Sequence, residues 1–186
     1  MGEPGTKQPL SLEELEAAVG QRSGRKHLLS ILVEDKPGVL TRIAGLFARR
    51  GFNIDTLVVG PTDDDGLSRI TLTLDGAMHP IDQVTKQLHK LVNVLKIHDL
   101  DPQATVAREL ALLKLNVADG PSRAELLQLC EIFRARVIDV TRKSVIVELT
   151  GTTTKLEAFE GMVRPFGLIE MMRTGEIAIQ RGRGET

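Results

Sequence analysis

Glu34-Asp35-Lys36-Pro37-Gly38-Val39-Leu40-Thr41-Arg42-Ile43 joins a segment that reads as a strand to one that reads as a helix. Upstream, Leu29, Ile31 and Val33 alternate along Leu28 to Val33. Downstream, Val39/Leu40, Ile43 and Leu46/Phe47 recur at helical spacing, and Arg49-Arg50-Gly51 ends the run with basic residues and a glycine. Between the two lie a polar cap, a proline at or near the first helical position and Gly38. A helix that opens this way leaves N–H groups and the positive end of its dipole free for a carboxylate or phosphate. Gly38 adds no side chain, so a small ligand can approach the backbone. A well-made helix start without a ligand fits the same ten residues, so the rest of the chain has to decide.

The pattern around this turn continues in order. Phe52 to Val59 reads as a second strand closed by Gly60-Pro61, and Thr62-Asp63-Asp64-Asp65-Gly66 as a hairpin turn. Ser68 to Leu74 alternates, with Ile70, Leu72 and Leu74 against Arg69, Thr71 and Thr73. After His79-Pro80, Ile81, Val84, Leu88 and Leu91 share a helix face. Val94 to Leu100 is a fourth strand, and Asp101-Pro102 closes the unit. The order is βαββαβ, the ferredoxin-like split arrangement.

A second round follows. Glu109 to Val117 reads as a strand and Asp119-Gly120-Pro121-Ser122 as a helix cap, with Leu126, Leu129, Cys130 and Phe133 on the apolar face. Arg136 to Thr141 and Ser144 to Thr150 are strands around a tight turn. Gly151-Thr152-Thr153-Thr154 opens a helix through Leu156, Phe159 and Val163; Leu168 to Met172 ends the set, with Glu176 to Ile179 as an added strand. The halves share a phrase, Phe47-Ala48-Arg49-Arg50-Gly51-Phe52-Asn53-Ile54-Asp55 beside Phe133-Arg134-Ala135-Arg136-Val137-Ile138-Asp139. The fold class expected is α+β, with two ferredoxin-like domains in tandem. Residues 1–25 form an extension, 26–103 the first domain and 104–186 the second. Within the extension, Ser11 to Glu14 has capping-box spacing and Leu12, Leu15 and Val19 form a thin stripe; a short docking helix and an unpacked tail both fit.

Composition narrows the function. At 186 residues, 26% charged, 41% hydrophobic and net charge −1, the chain gives no basis for broad binding to nucleic acid or to an anionic membrane. Cys130 is the single cysteine, which excludes an internal disulfide framework. No apolar run approaches the roughly 20 residues of a membrane span, and no secretory signal opens the chain, so the expected location is the cytoplasm. The four histidines, His27, His79, His89 and His98, lack metal-ligand spacing. The Asp63–Asp65 run lacks the other positions of a calcium loop, and no phosphate-binding glycine motif appears. Neither the first nor the third strand carries the aromatic residues on which RNA bases stack. An enzyme acting alone is therefore not expected.

A ligand-sensing dimer accommodates what remains. With sheet order 4-1-3-2, the fourth strand is an edge blunted by Lys96, His98 and Asp99. The second, Asn53 to Val59, is a mostly apolar, unguarded edge that can pair with a copy of itself. Asn53 then lies near the seam; as a residue after Gly51 it also fits a plain turn.

These residues resemble a known family. Glu34 to Arg42 together with Arg50-Gly51-Phe52-Asn53-Ile54 is similar to the ACT domain, an amino-acid-sensing ferredoxin-like module. Gly60-Pro61-Thr62-Asp63-Asp64, Leu67-Ser68-Arg69, Lys86 to Leu91, Ile132-Phe133-Arg134 with Ile138 to Thr141, Gly151-Thr152 with Lys155 to Phe159, and Arg173-Thr174-Gly175 extend the likeness. Together, from about His27 to Arg183, they resemble the small regulatory subunits of acetolactate (acetohydroxyacid) synthase. The resemblance implies an ACT homodimer binding valine, and in some members leucine or isoleucine, at its seam. It implies a large catalytic subunit as partner, carrying thiamine diphosphate, magnesium and FAD, which the small subunit activates and places under feedback inhibition. It assigns the effector to Asp35, Lys36, Pro37, Gly38, Val39, Leu40 and Thr41 of one chain, with Asn53 and Ile54 from the other. The family pattern has Asn where this chain has Asp35; a carboxylate there caps a helix as well, favours the ligand ammonium and disfavours its carboxylate. A sensor of the same fold serving another enzyme or a transcription regulator is the alternative, and a regulator of that kind needs a helix-turn-helix for which residues 1–25 are too short.

Overall fold

The structure is a computed structural model and describes residues 26–75, 80–117, 120–183 and 186. The extension 1–25, His79 and the cap residue Asp119 lie outside the described residues. The first domain runs β1 (Lys26–Glu34), α1 (Val39–Arg50), β2 (Ile54–Pro61), β3 (Leu67–Asp75), α2 (Ile81–Leu88) and β4 (Val94–Asp99). Its antiparallel sheet has the order β2-β3-β1-β4. The second domain runs β5 (Thr105–Asn116), α3 (Gly120–Phe133), β6 (Arg136–Val140), β7 (Ser144–Gly151), α4 (Thr153–Val163) and β8 (Leu168–Arg173), followed by β9 (Ile177–Gln180). Its sheet order, β6-β7-β5-β8, repeats the first. The tandem α+β reading of the sequence holds.

Each sheet is two-faced because its strands alternate. In the first, Leu29, Ile31, Val33, Ile70, Leu72 and Leu74 turn to the helices and meet Val39, Ile43, Phe47, Val84 and Leu88 in a closed core. In the second, Leu113, Leu115, Val145, Val147 and Leu149 meet Leu126, Cys130, Leu156, Phe159 and Val163. Each such side chain contributes about 1.5–3 kcal/mol by leaving water. The shared phrase marks the same joint in both halves. After α1, Gly51 turns left-handed and Phe52 N–H reaches the Phe47 carbonyl at 3.0 Å; after α3, Arg134 (φ 53°) and Ala135 N–H to Cys130 at 2.8 Å repeat it.

Several strand boundaries differ from the sequence reading: β2 runs Ile54–Pro61 rather than Phe52 to Val59, and β4 ends at Asp99 rather than Leu100. The first strand of the second domain begins at Thr105, not Glu109, because Thr105–Arg108 pair with β9. The helix of the central turn begins at Val39, as its apolar spacing reads, but Pro37 lies before it and is not its first residue, and Gly38 is its N-cap. Away from the helices, the first sheet carries Ser30, Thr71 and Thr73, all buried. The β5–β9 ribbon of the second domain approaches this face: Val106, Arg108 and Ile177 to Ile179 line a cleft with Val58, Gly60, Arg69 and Thr71.

Candidate functional site

The turn after β1 is held from two sides. Asp35 N–H donates to the Gly66 carbonyl at 2.7 Å, joining it to the β2–β3 hairpin, and Glu34 N–H donates to the Asn93 carbonyl at 3.0 Å, joining it to the loop before β4. A polar network reinforces the second tie. Asn93 Nδ2 donates to Glu34 Oε2 at 2.5 Å, Lys36 Nζ to Glu34 Oε1 at 3.0 Å, and Arg42 Nη1 to Asn93 Oδ1 at 2.9 Å. Hydrogen bonds from Lys36 and then Asn93 lower the Glu34 carboxyl below its ordinary range.

Gly38 has φ +85°, in the left-handed region, and a Cβ built there meets nothing within 4 Å. Glycine takes this backbone angle without the strain another residue would carry, and the space above it is open. No side chain caps α1, so Asp35 does not take the capping role open to it in the sequence reading. Arg42 N–H closes on the Gly38 carbonyl at 3.0 Å and Val39 N–H on Lys36 at 3.3 Å. Among the described residues, the N–H groups of Gly38, Leu40 and Thr41 meet no acceptor. Asp35, Lys36, Pro37, Gly38, Leu40 and Thr41 are exposed. Val39 is not: its side chain is in the core, leaving only its backbone at the turn, whereas Leu40 presents its side chain at 43% exposure.

Asn53 and Ile54 lie elsewhere. They follow the other end of α1, and a 12-residue helix at 1.5 Å per residue sets them roughly 18 Å from the turn. Asn53 is exposed and its Nδ2 reaches Asp55 Oδ1 at 3.3 Å; Asp55 pairs with Lys26 Nζ at 3.5 Å. Ile54 is half-buried against the first core. A single chain therefore brings together the turn residues and separates them from Asn53 and Ile54. Both latter residues open β2, which pairs with β3 on one side and has its other edge free among the described residues. Sequence reasoning missed Asn93 and the supporting role of Glu34. An Asn just before the fourth strand is a usual turn residue, and only the fold carries it to the head of α1.

Among the described residues, no group of three or more His, Cys, Asp or Glu is placed to hold a metal, and no helix is long and apolar enough to cross a membrane. Cys130 is buried, and burial raises its thiol pKa, so it stays protonated.

Comparison with known proteins agrees with the folded arrangement. The family described as small subunit of acetolactate synthase matches residues 108–182, and the AHAS small subunit-like ACT domain matches 29–96. A probable acetolactate synthase small subunit from Methanothermobacter thermautotrophicus is 46% identical over 156 residues, 84% of this chain and 93% of the relative. The acetolactate synthase small subunit of Mycobacterium bovis is 48% identical over 160 residues, 86% of this chain and 95% of that protein. The crystal structure of the acetolactate synthase small subunit from Thermotoga maritima superposes with TM-score 0.79 at 42% identity, covering 86% of this chain and 99% of that one. With an ACT domain followed by the family's own C-terminal domain, this chain belongs to the acetolactate synthase small subunits.

Proposed function

We propose that this chain is a regulatory subunit that binds valine, with leucine or isoleucine as alternative effectors, between two copies of its ACT domain. Through that site it sets the activity of a separate catalytic subunit, raising it in the absence of effector and inhibiting it when the effector is bound. Thiamine diphosphate, magnesium and FAD belong to that catalytic partner.

The observation that carries this reading is the separation of the two half-sites at opposite ends of α1. A free amino acid does not span roughly 18 Å, so one chain cannot supply both. A second copy can. If two β2 edges pair antiparallel across a two-fold axis, the start of one strand lies beside the end of the other. The end of β2 leads into the hairpin whose Gly66 carbonyl holds Asp35. Asn53 of one copy then comes to the Gly38 turn of its neighbour. The effector carboxylate sits on the open N–H groups near Gly38, where the helix dipole adds about 0.3–1 kcal/mol. Asp35 or Asn53 takes the ammonium, and Leu40 with the apolar seam takes the branched side chain.

Co-purification of the chain with a large thiamine-dependent protein, followed by valine calorimetry on the complex, tests the reading. Stoichiometric capture and one valine-saturable heat per site are expected. A chain that captures no such partner and gives no heat with any branched-chain amino acid refutes it.

A further inference from the structure

Gly175, in the loop between β8 and β9, touches the first domain at the strand that the effector site opens. A Cβ on Gly175 would stand 3.0 Å from Val58 Cγ2 and 3.1 Å from Thr56 Cβ, and its φ is +85°. The side chains of Val58 and Thr56 thus crowd Gly175, and a side chain there requires them to give by a few tenths of an ångström. Thr56 and Val58 follow closely on Asn53 and Ile54, with the β-bulge of β2 between Ile54 and Thr56.

The loop is immobilised on its own domain. Arg173 donates from Nε to Glu109 Oε1 at 2.9 Å and from Nη2 to Oε2 at 2.6 Å, while Gly175 N–H donates to Oε1 at 3.2 Å. Glu109 is 4% exposed, so this forked pair lies out of water, where charged hydrogen bonds are strong. Thr174 N–H donates to the Leu110 carbonyl at 3.0 Å, and its hydroxyl accepts Leu110 N–H at 3.1 Å. Thr153, at the start of α4, donates to Glu176 Oε1 at 2.8 Å.

On the facing side, β2 has few ways to move. Its inner face packs on the first core through Ile54 and Leu57, β3 holds one edge, and Thr56 donates to Thr73 Oγ1 at 2.8 Å. A shift at the bulge that re-aims the start of the strand must press on Gly175 or withdraw from it. The loop cannot yield alone without breaking the Glu109 bonds.

We infer that the Gly175–Val58 contact transmits effector occupancy from the first domain to the second, an inference that rests on the effector site proposed above. The ligand shifts the equilibrium only by its unequal affinity for two arrangements of β2, and Gly175 carries that difference across the domain boundary.

Two variants of the chain, each reconstituted with the catalytic subunit, test this. Gly175→Ala forces a methyl against β2, and Val58→Ala removes the Val58 Cγ2 contact from the other side, leaving Thr56 in place and the second domain untouched. In both, calorimetry should give a valine affinity within about twofold of the parent, and activation of the catalytic subunit should persist. The valine concentration for half-inhibition should rise by roughly tenfold, within the usual span of such couplings. The double variant should regain part of the response lost in Gly175→Ala, because the shortened side chain makes room for the new methyl. Unchanged inhibition in both single variants, with valine still bound, overturns the transmission and leaves the effector site standing. Absence of valine binding to the parent chain overturns both. Should Gly175→Ala fail to fold, Val58→Ala decides by the same readings.

Discussion

The N–H of Asp35 donates to the carbonyl of Gly66 at 2.7 Å, so the turn that begins α1 and the hairpin that follows β2 form one rigid corner. That corner is the end of the sheet opposite Asn53, and the geometry decides what mutations in each place should do.

Gly38→Asp should remove the proposed valine binding while leaving the proposed activation of the catalytic subunit in place. The left-handed angle at Gly38 costs an ordinary residue roughly 1–2 kcal/mol, and a carboxylate over the helix start repels that of the ligand. Calorimetry should show at least a tenfold loss of affinity, about 1.4 kcal/mol. Unaltered valine heats would move the site away from Gly38.

Asn53→Ala should weaken binding and leave the fold intact. The side chain is exposed, and its one hydrogen bond in the structure, to Asp55, is long at 3.3 Å. A melting temperature unchanged within about 2 °C and a reduced valine response are expected together. A full response to valine in this variant would remove Asn53 from the site.

Val59→Lys should loosen the proposed dimer. Val59 is 44% exposed on the free edge strand β2, and charge is how edges are kept from pairing. Sedimentation at micromolar concentration should show more monomer than the parent chain. An unchanged dimer would place the seam on another surface.

Arg173→Ala should destabilise the second domain by about 3–5 kcal/mol, because Glu109 would be left charged and buried without its partner. The hydrogen bonds to Glu109 raise the guanidinium pKa further, so Arg173 stays charged. Urea unfolding should resolve the loss, and replacing both residues by apolar ones of similar size should cost much less. A loss below about 1 kcal/mol would show that water reaches Glu109.

Acid should weaken the first domain through His98. Burial first, then the charges of Lys96 and Arg69, lower its pKa from 6.5. The folded state therefore binds this proton less readily than the unfolded chain. The stability tied to the neutral ring is present above about pH 6.5 and declines as pH falls through the folded value. His98→Gln should flatten the pH dependence of unfolding in that range, and an identical slope would assign it to other groups.

The sheet order, both domains and the free edge strand were legible in the residues, because Ile70-Thr71-Leu72-Thr73-Leu74 and Leu29-Ser30-Ile31 alternate without ambiguity. The start of α1 at Val39 was legible in the apolar spacing, whereas the left-handed turn of Gly38 that sets Pro37 outside the helix was not. Val39 and Leu40 look alike in sequence and separate only in the fold, one into the core and the other toward the open turn. Thr105 to Arg108 carried no strong strand pattern; they are extended because β9 returns to pair with them from seventy residues downstream. The Asn93 network and the Gly175 contact are long-range as well, and neither leaves a local signature.

The buried hydroxyls of Ser30, Thr71 and Thr73 have a mechanical consequence. Hydroxyl groups exchange protein partners for water at little net cost, whereas uncovering hydrocarbon of the same area would be expensive. The hydroxyls of Ser30 and Thr73 are bonded within their own domain, to Arg69 and Thr56, so parting the two halves would leave those bonds intact. What ties the halves together at this face is therefore local: Gly175 against Val58, and Arg69, which bonds both Ser30 Oγ and the Thr186 carbonyl.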